Sequence, residues 1–322
     1  MEKIKKQKNI KELKAGDIIS DLFVVKFKKP VQEYARGYRF EVRIGDSSGE
    51  IMLKYWGDND KEFVQKIYDS IEKDGIVFVK GTIGEFNNNL ELSVNDPEGV
   101  RMCKSEEYDP SDFILTTEKD IEEMYKEIEE TINNIQDPIL KKILNSFFSN
   151  TDFVKEFKTS PAAMYKHHGW IGGLLEHTLN VVNIFKNILK IHKEIDKDLL
   201  LTGAILHDIG KIREFEVISS IRTSKIGMLK GHIILGLEEL THKLKELSIK
   251  EEEAIKLIHI LISHHGKLEF GSPKVPSFPE ALAVYYADEM DAKLTQMINT
   301  KKDAITEDDY IYTKDFGNVY LK

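Results

Sequence analysis

Only one cysteine, Cys103, occurs in the chain, so no internal disulfide can form and a disulfide-stapled scaffold is excluded. No apolar run approaches the roughly 18 residues that cross a bilayer, which argues against a membrane span. The opening segment MEKIKKQKNIKELK is basic but has no apolar stretch and no cleavage site, so it does not read as a secretory signal. Together these absences point to a cytoplasmic protein with no membrane partner. An excess of positive charge is also missing: the formal net charge is -9, which excludes a surface coated in cations. A local basic groove remains open to it, because fields are screened beyond about 10 Å. With 41% hydrophobic and 31% charged residues the chain belongs among packed globular proteins, and 322 residues suit two domains.

The sequence changes character near residue 105. Before it, short β-like runs alternate with turn signals. Tyr38, Phe40, Val42 and Ile44 alternate with Arg39, Glu41 and Arg43, which predicts a strand with one apolar and one charged face. Ile51–Trp56, Ile76–Lys80, Leu90–Val94 and a run near Ile18–Lys28 give four more strands, and Lys61–Lys73 predicts a helix between the third and fourth. Five strands with one helix in that place match an OB-fold barrel. We therefore expect an all-β barrel over residues 1–104, a linker over 105–117 and an all-α bundle over 118–322. In the bundle, Thr117 is a candidate cap for a first helix, Asp137-Pro138 opens another, and further helices are expected at about 172–192, 198–208, 232–247, 251–264 and 279–299.

Seven polar residues interrupt the apolar faces of these helices. His177 shares a stripe with Leu174, Val181 and Ile184; His207 and Asp208 end the run Leu199–Leu206; His232 opens a helix; His264 and His265 end another; Asp288 lies on the stripe of Ala281, Val284 and Tyr285. Singly, each has an ordinary explanation as a hydrogen-bonded core residue or a helix-terminal group. Burying all of them without partners would cost roughly 1–3 kcal/mol each. A metal centre satisfies the whole set at once. Imidazole with carboxylate, and no thiolate, suits Mn, Fe, Co, Ni or Zn rather than a structural zinc site.

His177, then His207-Asp208, then Asp288 follow the order of the HD superfamily of metal-dependent phosphohydrolases, which the chain resembles. The segments Gly172–Thr178, Gly231–Gly236 and Ser263–Pro273 are further similar to the YhaM-type 3′-to-5′ exoribonucleases, which also carry an OB domain before the HD domain. The resemblance implies that His177, His207, Asp208 and Asp288 bind a first metal, and that Asp208 bridges to a second held by His232 with His264 or His265. Two divalent ions are implied, manganese foremost. Asp291, one turn from Asp288, is an alternative ligand. Lys211, three positions after Asp208, would place its ammonium on the scissile phosphate.

In the barrel, Tyr34 and Arg36 in the loop before the second strand, with Arg39, Arg43 and Lys54, are the candidate contacts to single-stranded RNA or DNA; exposed aromatics stack on bases of any sequence. The lysines of residues 3–14 could contact phosphates or form a solvated tail. The resemblance implies release of nucleoside 5′-monophosphates from a 3′ end. Two other readings stay open: a phosphohydrolase of small or cyclic nucleotides, and a non-enzymatic nucleic-acid-binding protein whose metal is structural. Oligomeric state, including a homo-oligomer, is left open.

Overall fold

The computed structural model describes residues 3–87, 89–164, 168–304 and 306–322. It divides into two compact units, Met1–Leu115 with Val217–Ser220, and Thr116–Glu216 with Ile221–Lys322.

The first unit is built on β1 (Ile18–Tyr34), β2 (Gly37–Gly45), β3 (Glu50–Trp56), helix α1 (Lys61–Ser70), β4 (Ile76–Phe86), β5 (Asn89–Val94) and the short β6 (Val100–Met102). β1 is long enough to serve two neighbours. Its first half pairs antiparallel with β4, Ile18 opposite Thr82 to Val24 opposite Ile76, and its second half with β2, Val24 opposite Gly45 to Tyr34 opposite Gly37. A register shift between Val25 and Phe27 bends the strand where it changes partner. β2–β3 and β5–β4 are antiparallel and β3–β5 parallel, so the order β1-β2-β3-β5-β4 returns to β1 and closes a five-stranded barrel. This strand order, with α1 between β3 and β4, is that of an OB-fold. Alternation sends Phe40, Val42, Leu53, Tyr55, Val77, Val79, Leu92 and Val94 inside, with Phe40 and Tyr55 stacked at 4.6 Å. Asn88, in the expected Asn87–Asn89 turn, lies outside the described residues.

The basic N-terminal segment is not a solvated tail. The Lys6 side chain is buried, its ammonium 3.3 Å from Asp46 and 3.6 Å from Asp21, and Asp21 also accepts from the backbone N–H groups of Gln7 and Lys8. Residues 105–115, expected as linker, carry buried Tyr108, Phe113 and Ile114.

The second unit is helical: α2 (Ile121–Asn133), α3 (Pro138–Phe148), α4 (Thr151–Thr159), α5 (Gly173–Ile191), α6 (Lys197–Leu206), α7 (Lys211–Glu214), α8 (Lys225–Glu246), α9 (Glu251–Ser263) and α10 (Pro279–Asp303). Two short hairpins accompany them, β7 (Phe215–Val217) with β8 (Ile221–Thr223) and β9 (Tyr310–Thr313) with β10 (Gly317–Tyr320). The cap of α2 is Asp120, whose carboxylate accepts from the N–H groups of Glu122 and Glu123; Thr117, the expected cap, instead donates to Glu176. One core joins α2, α3, α5, α6, α8, α9 and α10 through residues such as Ile128, Leu144, Val181, Phe185, Leu200, Leu240, Ile260 and Val284. No helix among the described residues is long and apolar enough to cross a membrane.

Candidate metal centre

Helix ends and glycines deliver the polar residues to one place. α5 starts after Gly172, at φ +82, and turns His177 fully into the core. α6 stops at Leu206, so His207 and Asp208 sit at its C-terminal end. The chain then turns at Gly210, where an added Cβ would lie 1.9 Å from the carbonyl oxygen of His232; only glycine permits this approach. α8 is broken at Gly231 (φ 72, ψ 158), and His232 opens its second part. α9 ends at Ser263, immediately before His264 and His265. α10 supplies Asp288 and Asp291.

Five imidazole Nε2 atoms and two carboxylates converge. Nε2 of His177 lies 3.2 Å from Nε2 of His207, 3.2 Å from Asp288 Oδ1 and 3.5 Å from Asp208 Oδ2. Asp208 Oδ2 is also 3.4 Å from His207 Nε2. The other oxygen of Asp208, Oδ1, faces His264 Nε2 at 3.5 Å and His232 Nε2 at 3.6 Å, and His232 Nε2 lies 3.1 Å from His265 Nε2. Both adjacent histidines therefore aim Nε2 inward. The atoms form two groups, His177, His207, Asp208 and Asp288 on one side and His232, His264 and His265 on the other. Asp208 offers one oxygen to each.

The opposite ring nitrogens decide what the Nε2 atoms are. Nδ1 of His207 faces the Ala204 carbonyl (2.8 Å), that of His264 the Leu261 carbonyl (2.7 Å), and that of His265 the Phe270 carbonyl (3.0 Å). Nδ1 of His232 faces Glu214 (3.0 Å) and that of His177 faces Asp291 (2.7 Å). Carbonyls and carboxylates only accept, so each Nδ1 carries a proton, and a ring that holds no second proton turns the lone pair of its Nε2 inward. Two lone pairs 3.1–3.2 Å apart repel unless a proton or a metal cation lies between them. Nitrogens about 2.1 Å from a shared metal are about 3.0–3.4 Å apart, which these separations match. Asp208 Oδ1 and His264 Nε2 are buried without a hydrogen-bond partner, which a ligated cation would cure. The cluster is compatible with a divalent metal site.

A second layer holds the first. The Asp291 carboxylate accepts from His177 Nδ1, His168 Nε2 (2.8 Å) and Asn180 Nδ2 (2.8 Å). It therefore lies behind His177, on the side opposite Asp288, and does not substitute for Asp288. His168 and Glu214 were not singled out from sequence; Glu214 is three residues past Lys211 and shares its helical turn, a signal that could have found it. Burial alone would lower the pKa of His177, but Asp288 and Asp291 outweigh it and raise it to about 9. Burial pushes the pKa of His264 and of His265 down. Burial would raise Asp208, yet Lys211 and His207 hold it well below the carboxylate range. Lys211 is itself buried with Nζ 2.6 Å from Asp208 Oδ2, and its pKa is raised by that carboxylate against the effect of burial.

The expected nucleic-acid contacts lie on the barrel. Tyr34 ends β1 rather than sitting in a loop; its hydroxyl donates to the Gly57 carbonyl (3.0 Å) and its ring meets Trp56 edge-on at 5.1 Å. Arg36 is exposed in the turn that follows. The Arg39 guanidinium lies over the Trp56 ring at 5.1 Å. Lys54 pairs with Glu91 (2.6 Å) and lies 5.1 Å from the exposed Phe86 ring; Arg43 pairs with Glu50 at 3.8 Å. Trp56 and Phe86 join this outer face.

Residues 174–293 match the HD domain family. Over 300 residues the chain is 30% identical to the 3′-5′ exoribonuclease YhaM of Shouchella clausii (strain KSM-K16), covering 90% of this chain and 88% of that one. The chain belongs to the family of YhaM-type exoribonucleases, HD-domain proteins. Among solved structures, the second OB-fold domain of replication protein A from Methanococcus maripaludis is similar in solution (21% identity, 31% of this chain, 94% of that chain, TM-score 0.24) and in a crystal (21%, 32%, 94%, 0.24).

Proposed function

We propose that the protein is a metal-dependent 3′-to-5′ exoribonuclease that shortens single-stranded RNA, with single-stranded DNA as a further substrate, to nucleoside 5′-monophosphates. The observation that carries this is Asp208, whose two oxygens face two separate sets of imidazoles. His177, His207, Asp208 Oδ2 and Asp288 would hold one divalent ion, and His232, His264, His265 and Asp208 Oδ1 a second. The oxygen and nitrogen donors favour manganese and admit Co, Fe, Ni or Zn. When bound, two such ions supply an activated water and neutralise the charge of the phosphodiester.

The chain's own residues do the rest. The Nδ1 hydrogen bonds hold five rings with Nε2 turned inward, so no ring has to turn over on loading. Lys211 keeps Asp208 ionised and holds a positive charge at the edge of the site, within reach of a phosphate oxygen. Tyr34, Arg36, Arg39, Arg43, Lys54, Trp56 and Phe86 offer stacking and phosphate contacts to the strand. Incubation of 5′-labelled single-stranded RNA with Mn²⁺ should give a ladder shrinking from the 3′ end together with 5′-monophosphates. Internal cuts, or turnover of small nucleotides alone, would refute this reading.

A further inference from the structure

An exposed aromatic ring held on a rigid segment presents a face on which a nucleobase can stack. Phe270 is 47% exposed. Its backbone is held firmly: the carbonyl accepts from Nδ1 of His265 (3.0 Å), and the N–H donates to the Lys267 carbonyl (3.1 Å). The Lys267 N–H donates to the His265 carbonyl (2.8 Å). Buried Ser272 closes the turn by donating its N–H to the Lys267 carbonyl (3.2 Å) and its hydroxyl toward the carbonyls of Lys274 (2.8 Å) and Ile262 (3.1 Å). Gly271, at φ +84, reverses the chain directly after Phe270, a conformation other residues rarely adopt. The backbone of Phe270 thus stands one imidazole ring away from the inward-facing Nε2 of His265. The Lys267 ammonium lies 4.9 Å from the Phe270 ring; its exposed pairing with Glu269 (3.5 Å) is weak and leaves it free to move to a phosphate.

We propose that Phe270 and Lys267 form a stacking subsite for the terminal nucleobase of the substrate strand, set in register with the metal centre by the hydrogen bond between His265 and Phe270. The base takes the aromatic face and the ammonium takes a backbone phosphate. The inference rests on the exoribonuclease reading and deepens it. Stacking accepts every base, so this subsite grips without selecting sequence. Because the ring is anchored before the strand arrives, little ordering entropy is lost on binding.

The test uses the full chain loaded with Mn²⁺ and two short oligoribonucleotides, one complete and one lacking the base of its 3′-terminal nucleotide. The wild type should show a KM about 5- to 150-fold higher for the abasic strand, the range expected of one stacked base. Phe270→Ala should raise KM for the complete strand and lose the discrimination, while Phe270→Trp should keep it. Bound metal is measured in each variant. Discrimination that survives in Phe270→Ala, or a Phe270→Leu variant that discriminates as well as Phe270→Trp, overturns the proposal. So does loss of metal in Phe270→Ala that accounts for its defect. A wild type that leaves RNA 3′ ends intact overturns the parent reading too, whereas 3′ trimming without discrimination overturns the subsite alone. An exposed ring kept for a protein partner would give that last result.

Discussion

Replacing Asp291 by Asn separates the role of a residue behind the site from that of the ligands themselves. The carboxylate receives three donors, two imidazole N–H groups on Oδ2 and an amide on Oδ1. Asparagine fills the same volume with one acceptor. If its oxygen serves the two histidines, its NH₂ meets the NH₂ of Asn180; if it turns round, His177 must move its proton to Nε2 and can no longer ligate. Loss of such a partner typically costs 10–100-fold in metal affinity, about 1.4–2.8 kcal/mol. The pH dependence sharpens the test. In the metal-free protein His177 has a pKa raised to about 9, because Asp288 and Asp291 outweigh its burial. Metal binding must expel that proton, so apparent affinity should climb about tenfold per pH unit below 9 and then level off. Removing the Asp291 charge lowers this pKa, so the variant should level off at a lower pH. Its deficit should be complete at pH 9.5, where no proton competes, and smaller at pH 7. Calorimetric Mn²⁺ titrations at both values measure it. Wild-type affinity at pH 9.5, or a deficit larger at pH 7, would refute the argument.

Asp208→Ala should remove activity and most bound metal while the far-ultraviolet helical signal persists, as metal analysis beside circular dichroism can check; a fully active variant would exclude the shared-carboxylate arrangement. Gly210→Ala should destabilise the helical unit by about 1–3 kcal/mol or more, because the added methyl meets backbone at 1.9 Å. A melting temperature unchanged within a degree would mean the backbone there gives way freely. Glu176 is buried, which would raise its pKa, but His168, Thr117 and Lys119 bring it down to about 2. Its contribution is therefore present above the unfolded carboxyl value near 4.3 and lost as pH falls through about 2. Glu176→Gln should be less stable than wild type at neutral pH and flatten the loss between pH 4.5 and 2; an acid-unfolding curve identical to wild type contradicts this.

The converging groups were legible only as a set: one polar residue on an apolar helix has an ordinary explanation, but seven on five segments share a cation most simply, and glycines stood beside them. What lay behind them was not. Asp288 and Asp291 differ by one turn, and spacing alone cannot tell which side of His177 each carboxylate meets. His168 sits in a stretch without periodicity, at φ +50, and no local pattern announces its bond to Asp291. The partners of His207, His264 and His265 are backbone carbonyls, which no side-chain pattern encodes. In the barrel, alternation and turns gave the strands. Lys6 could not be told from the other N-terminal lysines because the carboxylates around it, Asp21 and Asp46, stand 15 and 40 residues away. The hairpin of Tyr310–Thr313 and Gly317–Tyr320 was hidden among helices, although Tyr-Ile-Tyr alternates.

The carbonyls of Ala204 and Leu261 lie in the last turns of α6 and α9, where helices leave such groups unpaired. By spending them on His207 and His264, the protein ties the lengths of these two helices to the orientation of its imidazoles. One residue inserted into either helix would swing everything beyond it by about 100°. The lengths of α6 and α9 thus carry a chemical constraint that the loops of this domain and the outward-facing side chains of the two helices do not share.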